Sequence, residues 1–315
     1  MSITIDSKRI NRREFLQTGG KAAAAVVFAD AGKTGILSAL TADQNTNGIP
    51  TVTLNNGVTM PMLGLGTMTL DGPRGANCVS DAISFGYRLL DTATIYGNEE
   101  FVGAGIQQTG IKREELFVTT KLWVSDAGYE SAKNAFERSL NKLKMEYVDL
   151  YLIHRPRGDY KGSWKAMEEL YKKGRIKAIG VSNFEPHQIE ELTVNGGMKP
   201  AVNQIETHAF FQEFKAQTVL KNKGIQMEAW SPFAEGRNGM FNNPTLAKVG
   251  AKYKKSNAQV SLRWLHQRGI VAIPRSSQKA HLKENLEIFD FVLDDSDMKN
   301  LASLDLNTTQ FPEWG

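Results

Sequence analysis

Residues 116–122 read LFVTTKL, a run of strand-forming side chains with a charge where one more apolar residue would fit. An ammonium at the end of a buried strand is costly unless a counter-charge meets it. Lys121 therefore implies an acidic partner on a neighbouring element, and the flanking sequence supplies the neighbours. Upstream, RLLDTA (88–93) is a strand that carries Asp91; downstream, VDLYLIH (148–154) is another that ends in His154. Apolar strands of this kind recur at 63–67, 178–183, 201–206, 225–231 and 271–276, which makes eight in all. Amphipathic stretches such as 131–143, 163–174 and 257–269 lie between them. Alternation of strand and helix specifies a parallel sheet, and eight units specify a closed one. The fold class is therefore α/β, an eight-stranded parallel (β/α) TIM barrel. Ahead of it, TVTLNNGVTMPML (51–63) sets Asn55-Asn56-Gly57 between two short strands, which predicts an N-terminal β-hairpin.

The strand ends carry the chemistry. They stop in Thr67, Asp91, Lys121, His154, Ser182-Asn183, Gln204, Ser231 and Arg275-Ser276. In a parallel barrel all of these point to one face, where barrel active sites sit. Asp91 and Lys121 fall on adjacent strands and can pair. Tyr96 follows Asp91 on the same loop, and His154 ends the next strand along. A phenol with a pKa of ~10 is a poor acid near neutrality, and a nearby cation lowers it by ~1–3 units. Lys121 is thus expected to make Tyr96 a usable proton donor, with Asp91 holding Lys121 charged and His154 aiming a carbonyl oxygen. That set suits reduction of an aldehyde or ketone. No side chain carries hydride, so a nicotinamide cofactor is required.

The bulk composition narrows the alternatives. Of 315 residues, 41% are hydrophobic and 23% charged, and the net charge is +4. No basic block stands out after residue 50, which argues against nucleic acid as a partner. The single cysteine, Cys78, excludes intrachain disulfides, and its place at the start of a helix reads as packing. His187, His208, His266 and His281 lack metal-ligand spacing, so no metal site is expected. A glycoside hydrolase barrel would need two facing carboxylates, for which Asp91 and Glu206 stand available, but a lysine beside Asp91 suppresses a proton-donor role. A barrel that senses cofactor with little or no turnover is the other alternative.

Several segments together resemble the aldo-keto reductases, nearest the bacterial 2,5-diketo-D-gluconate reductase type. They are GYRLLDTATIYGNE, REELFVTTKLW, YVDLYLIHRP, GRIKAIGVSNF, PAVNQIETH, AWSP, AQVSLRWLHQRGIVAIPRS and ENLEIFDF, within a match running from about Thr51 to about Leu306. The resemblance implies NAD(P)H-dependent reduction of a small-molecule carbonyl, a keto-sugar acid among the candidates, with Tyr96, Lys121, Asp91 and His154 catalytic. It implies that Ser182, Asn183 and Gln204 hold the nicotinamide carboxamide and that Trp230 stacks on the ring. Gly66, Thr67, Ser231, Phe233, Arg275, Ser276, His281, Glu284 and Asn285 complete the cofactor set. Trp123, His154 and Arg155 line the substrate side. Two positions depart from the family pattern. Arg155 stands where Trp is usual, and either binds an anionic group of the substrate or pairs at the rim. His281 stands where a second Arg is usual, which weakens the case for a 2′-phosphate; NADP is the expected cofactor and NAD the alternative.

The first residues read differently. NRREFLQTGGKAAAAVVFADA (11–31) places Arg12-Arg13 ahead of a weakly apolar stretch and an Ala-Asp-Ala spacing, the layout of a twin-arginine export signal. On this reading residues 1–49 are signal and linker and residues 50–315 the barrel. The export machinery is then a partner and the periplasm the destination, with the cytoplasm as the alternative. The apolar run falls well short of the ~18 residues of a membrane span, so no integral segment is expected.

Overall fold

The computed structural model describes residues 48–314. Two short strands, β1 (Thr51–Thr53) and β2 (Thr59–Pro61), pair antiparallel as the predicted hairpin, with Val52 opposite Met60. The barrel strands follow: β3 (Gly64–Gly66), β4 (Leu89–Asp91), β5 (Phe117–Leu122), β6 (Val148–Ile153), β7 (Ile176–Ser182), β8 (Val202–Glu206), β9 (Gln226–Trp230) and β10 (Val271–Ala272). Each is hydrogen-bonded to its neighbour in chain order, and all pairings are parallel. The ends of the sheet meet: Leu63 bridges Ala272, the Ala272 amide donates to the Met62 carbonyl at 3.1 Å, and the Gly66 amide donates to the Pro274 carbonyl at 3.1 Å. β10 is shorter than the sequence suggests because Pro274 has no N–H to continue a ladder.

The helices between the strands lie where amphipathic periodicity places them. They are α1 (Gly72–Phe85), α2 (Glu99–Thr109), α3 (Tyr129–Leu143), α4 (Tyr160–Lys172), α5 (Pro186–Thr193), α6 (Phe214–Lys223), α7 (Pro244–Tyr253), α8 (Asn257–Gln267), α9 (Lys279–Leu286) and α10 (Asp295–Ala302). α3 buries Ala132, Ala135, Phe136, Ser139, Leu140 and Leu143, a single stripe three and four residues apart, against the sheet. α8 opens with a capping box in which Ser256 and Gln259 satisfy each other's backbone amides.

Two apolar layers position the site. The outer one joins helices to sheet and includes Ile49, 2% exposed, so the core begins one residue inside the stretch that composition assigns to the linker. The inner one fills the barrel with Leu89, Leu150, Leu152, Ala178, Val202 and Val271, and the hairpin adds Leu54 and Met60. Asn55 donates to the carbonyls of Pro200 and Gly224, and Asn56 to that of Lys177, all at or just ahead of the strands β7, β8 and β9. The hairpin therefore seals the N-terminal end of the barrel. Gly180 is required inside it, since a Cβ there would lie 2.7 Å from both Leu152 Cδ2 and the Val202 carbonyl oxygen. Only the C-terminal end of the strands stays open. No helix among the described residues is long and apolar enough to cross a membrane. The Arg12-Arg13 stretch lies outside the described residues.

Candidate active site

Lys121 finds its partner inside the barrel. Its side chain is fully buried, and Nζ donates to Asp91 Oδ1 at 2.5 Å and to the Thr92 carbonyl at 3.1 Å. The same nitrogen lies 3.4 Å from Tyr96 Oη. Tyr96 sits on a single 3-10 turn (Thr94–Tyr96) that is pinned from both sides. Thr94 Oγ1 donates to the Lys121 carbonyl at 3.0 Å. The buried Asn98 accepts from Thr92 Oγ1 and donates to the carbonyls of Thr67 and Leu70, and Glu99 accepts from Thr120 Oγ1 at 2.7 Å. Asn98 and Glu99 close the segment GYRLLDTATIYGNE with no role assigned to them from sequence, yet they fix the loop that carries the phenol. The His154 ring meets Tyr96 edge-on with centroids 5.8 Å apart and Trp123 at 5.0 Å. Asp91, Tyr96, Lys121 and His154 thus form one cluster at the open end of β4, β5 and β6.

The electrostatics amend one expectation. Burial tends to strip Lys121 of its proton, but the Asp91 carboxylate and the Tyr96 oxygen outweigh it, and the ammonium is held above its ordinary range. Tyr96 is not lowered. Burial pushes the phenol up more than Lys121 pulls it down, and the Asp91 charge offsets part of that pull. The cation beside Tyr96 is already neutralised, so the phenol keeps its proton. His154 is driven well below its ordinary range by burial, with Lys121 and Arg155 adding to the effect, so its imidazole is neutral.

A third buried carboxyl lies beneath the cluster. Gln204 Nε2 donates to Asp91 Oδ2 at 2.9 Å and to Glu228 Oε2 at 3.0 Å. Glu228 is fully buried; burial and the Asp91 charge raise it to about 8. Burial also raises Asp91, against the pull of Lys121 and Gln204. One lysine cannot balance two carboxylates in a dry interior, so Glu228 keeps the proton near neutrality and Asp91 carries the charge. Sequence reasoning misses Glu228 within IQMEAWS. Strand parity could have found it: β8 and β9 pair Gln204 with Glu228, two residues before Trp230 and on the same face.

Gln204 spends both amide hydrogens inward, so its carbonyl oxygen remains for a ligand at the mouth. Asn183 (φ 60°) donates to the His154 carbonyl and to Ser182 Oγ, and accepts from Trp230 Nε1 at 2.8 Å. Ser182 Oγ donates to the Gln204 backbone carbonyl at 2.8 Å. Ser182, Asn183, Gln204 and Trp230 are therefore one linked group, with hydrogen-bond acceptors left for a carboxamide. Ser231 (φ 46°) begins a loop in which Ala234 and Glu235 are also left-handed. That loop passes Phe233 to a cavity of about 430 Å³, lined by Phe241, Arg275, Ser276, His281, Glu284 and Asn285. Ser277 and Gln278, which the sequence does not single out, line it too. A basic fork, two hydroxyls and an aromatic wall fit an adenosine phosphate. Gly66 and Thr67 stand apart from this group. Gly66 lies at the barrel seam, where a Cβ would come within 2.8 Å of the Ile273 carbonyl oxygen, and Thr67 donates its hydroxyl to the Asp91 carbonyl.

The C-terminal segment covers part of the mouth. Glu206, the carboxylate a glycosidase would have used, instead accepts from His208 Nε2, Thr309 Oγ1 and the Gln310 amide. This holds Phe311 and Trp314 against Trp230, with ring centroids 5.2 and 5.5 Å away. Arg237, from the left-handed loop, pairs with Glu313 and lies 4.2 Å over the Phe311 ring.

Comparison with known proteins agrees with this geometry. The model of the Aldo/keto reductase family matches residues 62–306. The chain is 48% identical over 256 residues to the glyoxal reductase of Bacillus subtilis (strain 168), covering 81% of this chain and 92% of that protein. It is 40% identical to the methylglyoxal reductase DkgA of Escherichia coli (strain K12), covering 81% and 94%. Among solved structures, the Bombyx mori aldo-keto reductase in complex with NADP superimposes with a TM-score of 0.80 at 34% identity, covering 84% of this chain and 96% of that one. These matches correct the reading of residues 1–49. The relatives match over nearly all of their own length without it, and nothing in them supports a signal, twin-arginine machinery or a periplasmic keyword. An arginine pair ahead of an alanine-rich run is a compositional pattern that a basic tail produces unaided, and the export assignment is withdrawn.

Proposed function

The chain belongs to the aldo/keto reductase family, and from that membership we propose that it reduces an aldehyde or ketone to the alcohol with NADPH, Tyr96 delivering the proton. The observation that carries the assignment of roles is the unbroken contact from Asp91 through Lys121 to Tyr96 Oη, with His154 beside it. When bound, NADPH supplies the hydride. Arg275, Ser276 and His281 would hold its phosphate-bearing adenosine end, and Asn183, Gln204 and Trp230 its carboxamide end. The neutral imidazole of His154 donates an N–H to the carbonyl oxygen and places it beside Tyr96 Oη. As negative charge grows on that oxygen the phenol gives up its proton. Lys121 then stabilises the phenolate left behind, and Asp91 keeps the ammonium in reach. The buried, proton-holding state of the phenol suits this direction, since a Tyr96 ionised in advance would have nothing to donate. The names of the relatives support small, reactive carbonyls as substrates. The test is consumption of NADPH against glyoxal, methylglyoxal and a panel of neutral aldehydes, beside the same panel with NADH. Absence of turnover across the panel by folded protein that binds NADPH defeats the assignment.

A further inference from the structure

Arg155 follows His154 directly at the open end of β6 and lines a cavity of about 310 Å³ whose walls include Ile189 from α5, Leu220 from α6, Trp230 and Trp314. Its guanidinium is half-buried, and among the described residues it makes neither a hydrogen bond nor an ion pair. Its charge nevertheless reaches the reacting groups, since it acts on both Tyr96 and His154. The cavity also holds three acidic side chains. Glu185 closes the capping box at the start of α5. The oxygens of Glu206 are taken by His208, Thr309 and Gln310. Glu213 is pushed up to about 7, chiefly by burial and then by the charges of Glu185 and Glu206, which favours its neutral form. None of the three pairs with Arg155.

A cation partly withdrawn from water with no counter-ion is costly, and the planar fork of a guanidinium matches a carboxylate. Rim pairing, the other role open to this residue on sequence grounds, has no partner among the described residues. We propose that Arg155 is a specificity-determining residue that binds a carboxylate on the substrate, so that this site takes 2-oxo acids and related carbonyl compounds bearing a carboxylate close to the reacting carbon. The proposal rests on the reductase reading and names the substrate class of the same site. The carboxylate is paired by the guanidinium while the neighbouring carbonyl oxygen lies between His154 and Tyr96. Hydride addition at carbon and protonation at oxygen then give the 2-hydroxy acid and oxidised cofactor.

The experiment compares pyruvate with methyl pyruvate, the same ketone with and without the charge, in native protein, Arg155→Gln and Arg155→Lys. Charge-assisted hydrogen bonds contribute ~1.5–3 kcal/mol, so the acid-to-ester ratio of kcat/KM is expected to fall about 10- to 100-fold in Arg155→Gln. It should fall less in Arg155→Lys, which keeps the charge and loses the fork. Oxamate, a 2-oxo acid mimic that cannot be reduced, provides the second readout. Calorimetry on the NADPH-loaded protein should show binding that Arg155→Gln abolishes, with NADPH affinity measured alongside. An unchanged acid-to-ester ratio, or equal oxamate binding by native and Arg155→Gln protein, overturns the proposal. If no carbonyl of any charge is turned over, the reductase reading has failed separately, and oxamate binding still decides the role of Arg155.

Discussion

Glu228→Gln removes a buried proton from the centre of the barrel. In the native protein the carboxyl is raised from 4.5 to about 8. The folded state therefore binds this proton more tightly than the unfolded chain does. The resulting stability is fully present below the unfolded value and is lost as pH rises towards 8. One proton bound only in the folded state changes stability by about 1.4 kcal/mol per pH unit, a few kcal/mol across the window once sharing with Asp91 is allowed for. The substituted carboxamide would still accept from Gln204 Nε2, but its amide group would lie where Glu228 Oε1 now has no hydrogen-bond partner. The neutral carboxyl already places its O–H there, so the variant adds one further unpartnered N–H, which costs up to ~1–3 kcal/mol at any pH. Native protein should thus be the more stable at about pH 5, and the gap should close or invert by about pH 8. Urea unfolding of both proteins across that range measures the difference directly. Parallel curves would refute the argument, since they would mean that Glu228 is ionised throughout and that the core tolerates two carboxylates on one lysine.

Tyr96→Phe keeps the ring and removes the acid; turnover should fall by ~10²–10⁴ while NADPH binding, read by fluorescence quenching, survives. Glu206→Ala frees Thr309 and Gln310 from their shared carboxylate, so the terminal segment should be cut sooner in limited proteolysis, Trp230 fluorescence should shift, and stability should drop by ~1–3 kcal/mol. A tail as protease-resistant as native would show that Arg237 and the ring contacts hold it alone. His281→Arg adds a guanidinium to the cavity that already holds Arg275, and NADPH affinity should rise about tenfold with NADH affinity unchanged. Equal gains for both cofactors would place that side chain away from the 2′-phosphate.

Much of the architecture is readable because each strand writes its own boundary. The apolar run of LFVTTKL and the lysine inside it imply both a buried strand and an acidic neighbour, and Asp91 on the adjacent strand supplies it. The polar residues at the other strand ends follow the same logic, since a parallel barrel leaves one end of its strands open and the hairpin seals the other. The export reading of the leader fails for the converse reason. An arginine pair and small residues are composition without periodicity, and composition alone does not distinguish a signal from a tail.

The sequence by itself determined the alternation of elements, the barrel, and the identity of Lys121 and the three groups around it, because side-chain period and strand adjacency are local properties that survive without coordinates. Tertiary structure alone decided how those groups are charged and what surrounds them. Glu228 meets Asp91 only through Gln204, three strands bringing together residues 91, 204 and 228. Glu206 turns from a nominal catalytic acid into the clamp on a segment 103 residues later. Tyr96 retains its proton because burial, which no sequence window reports, outweighs the cation beside it. Desolvation and long-range pairing depend on which atoms exclude water from a point in space, and that is set only when the barrel closes.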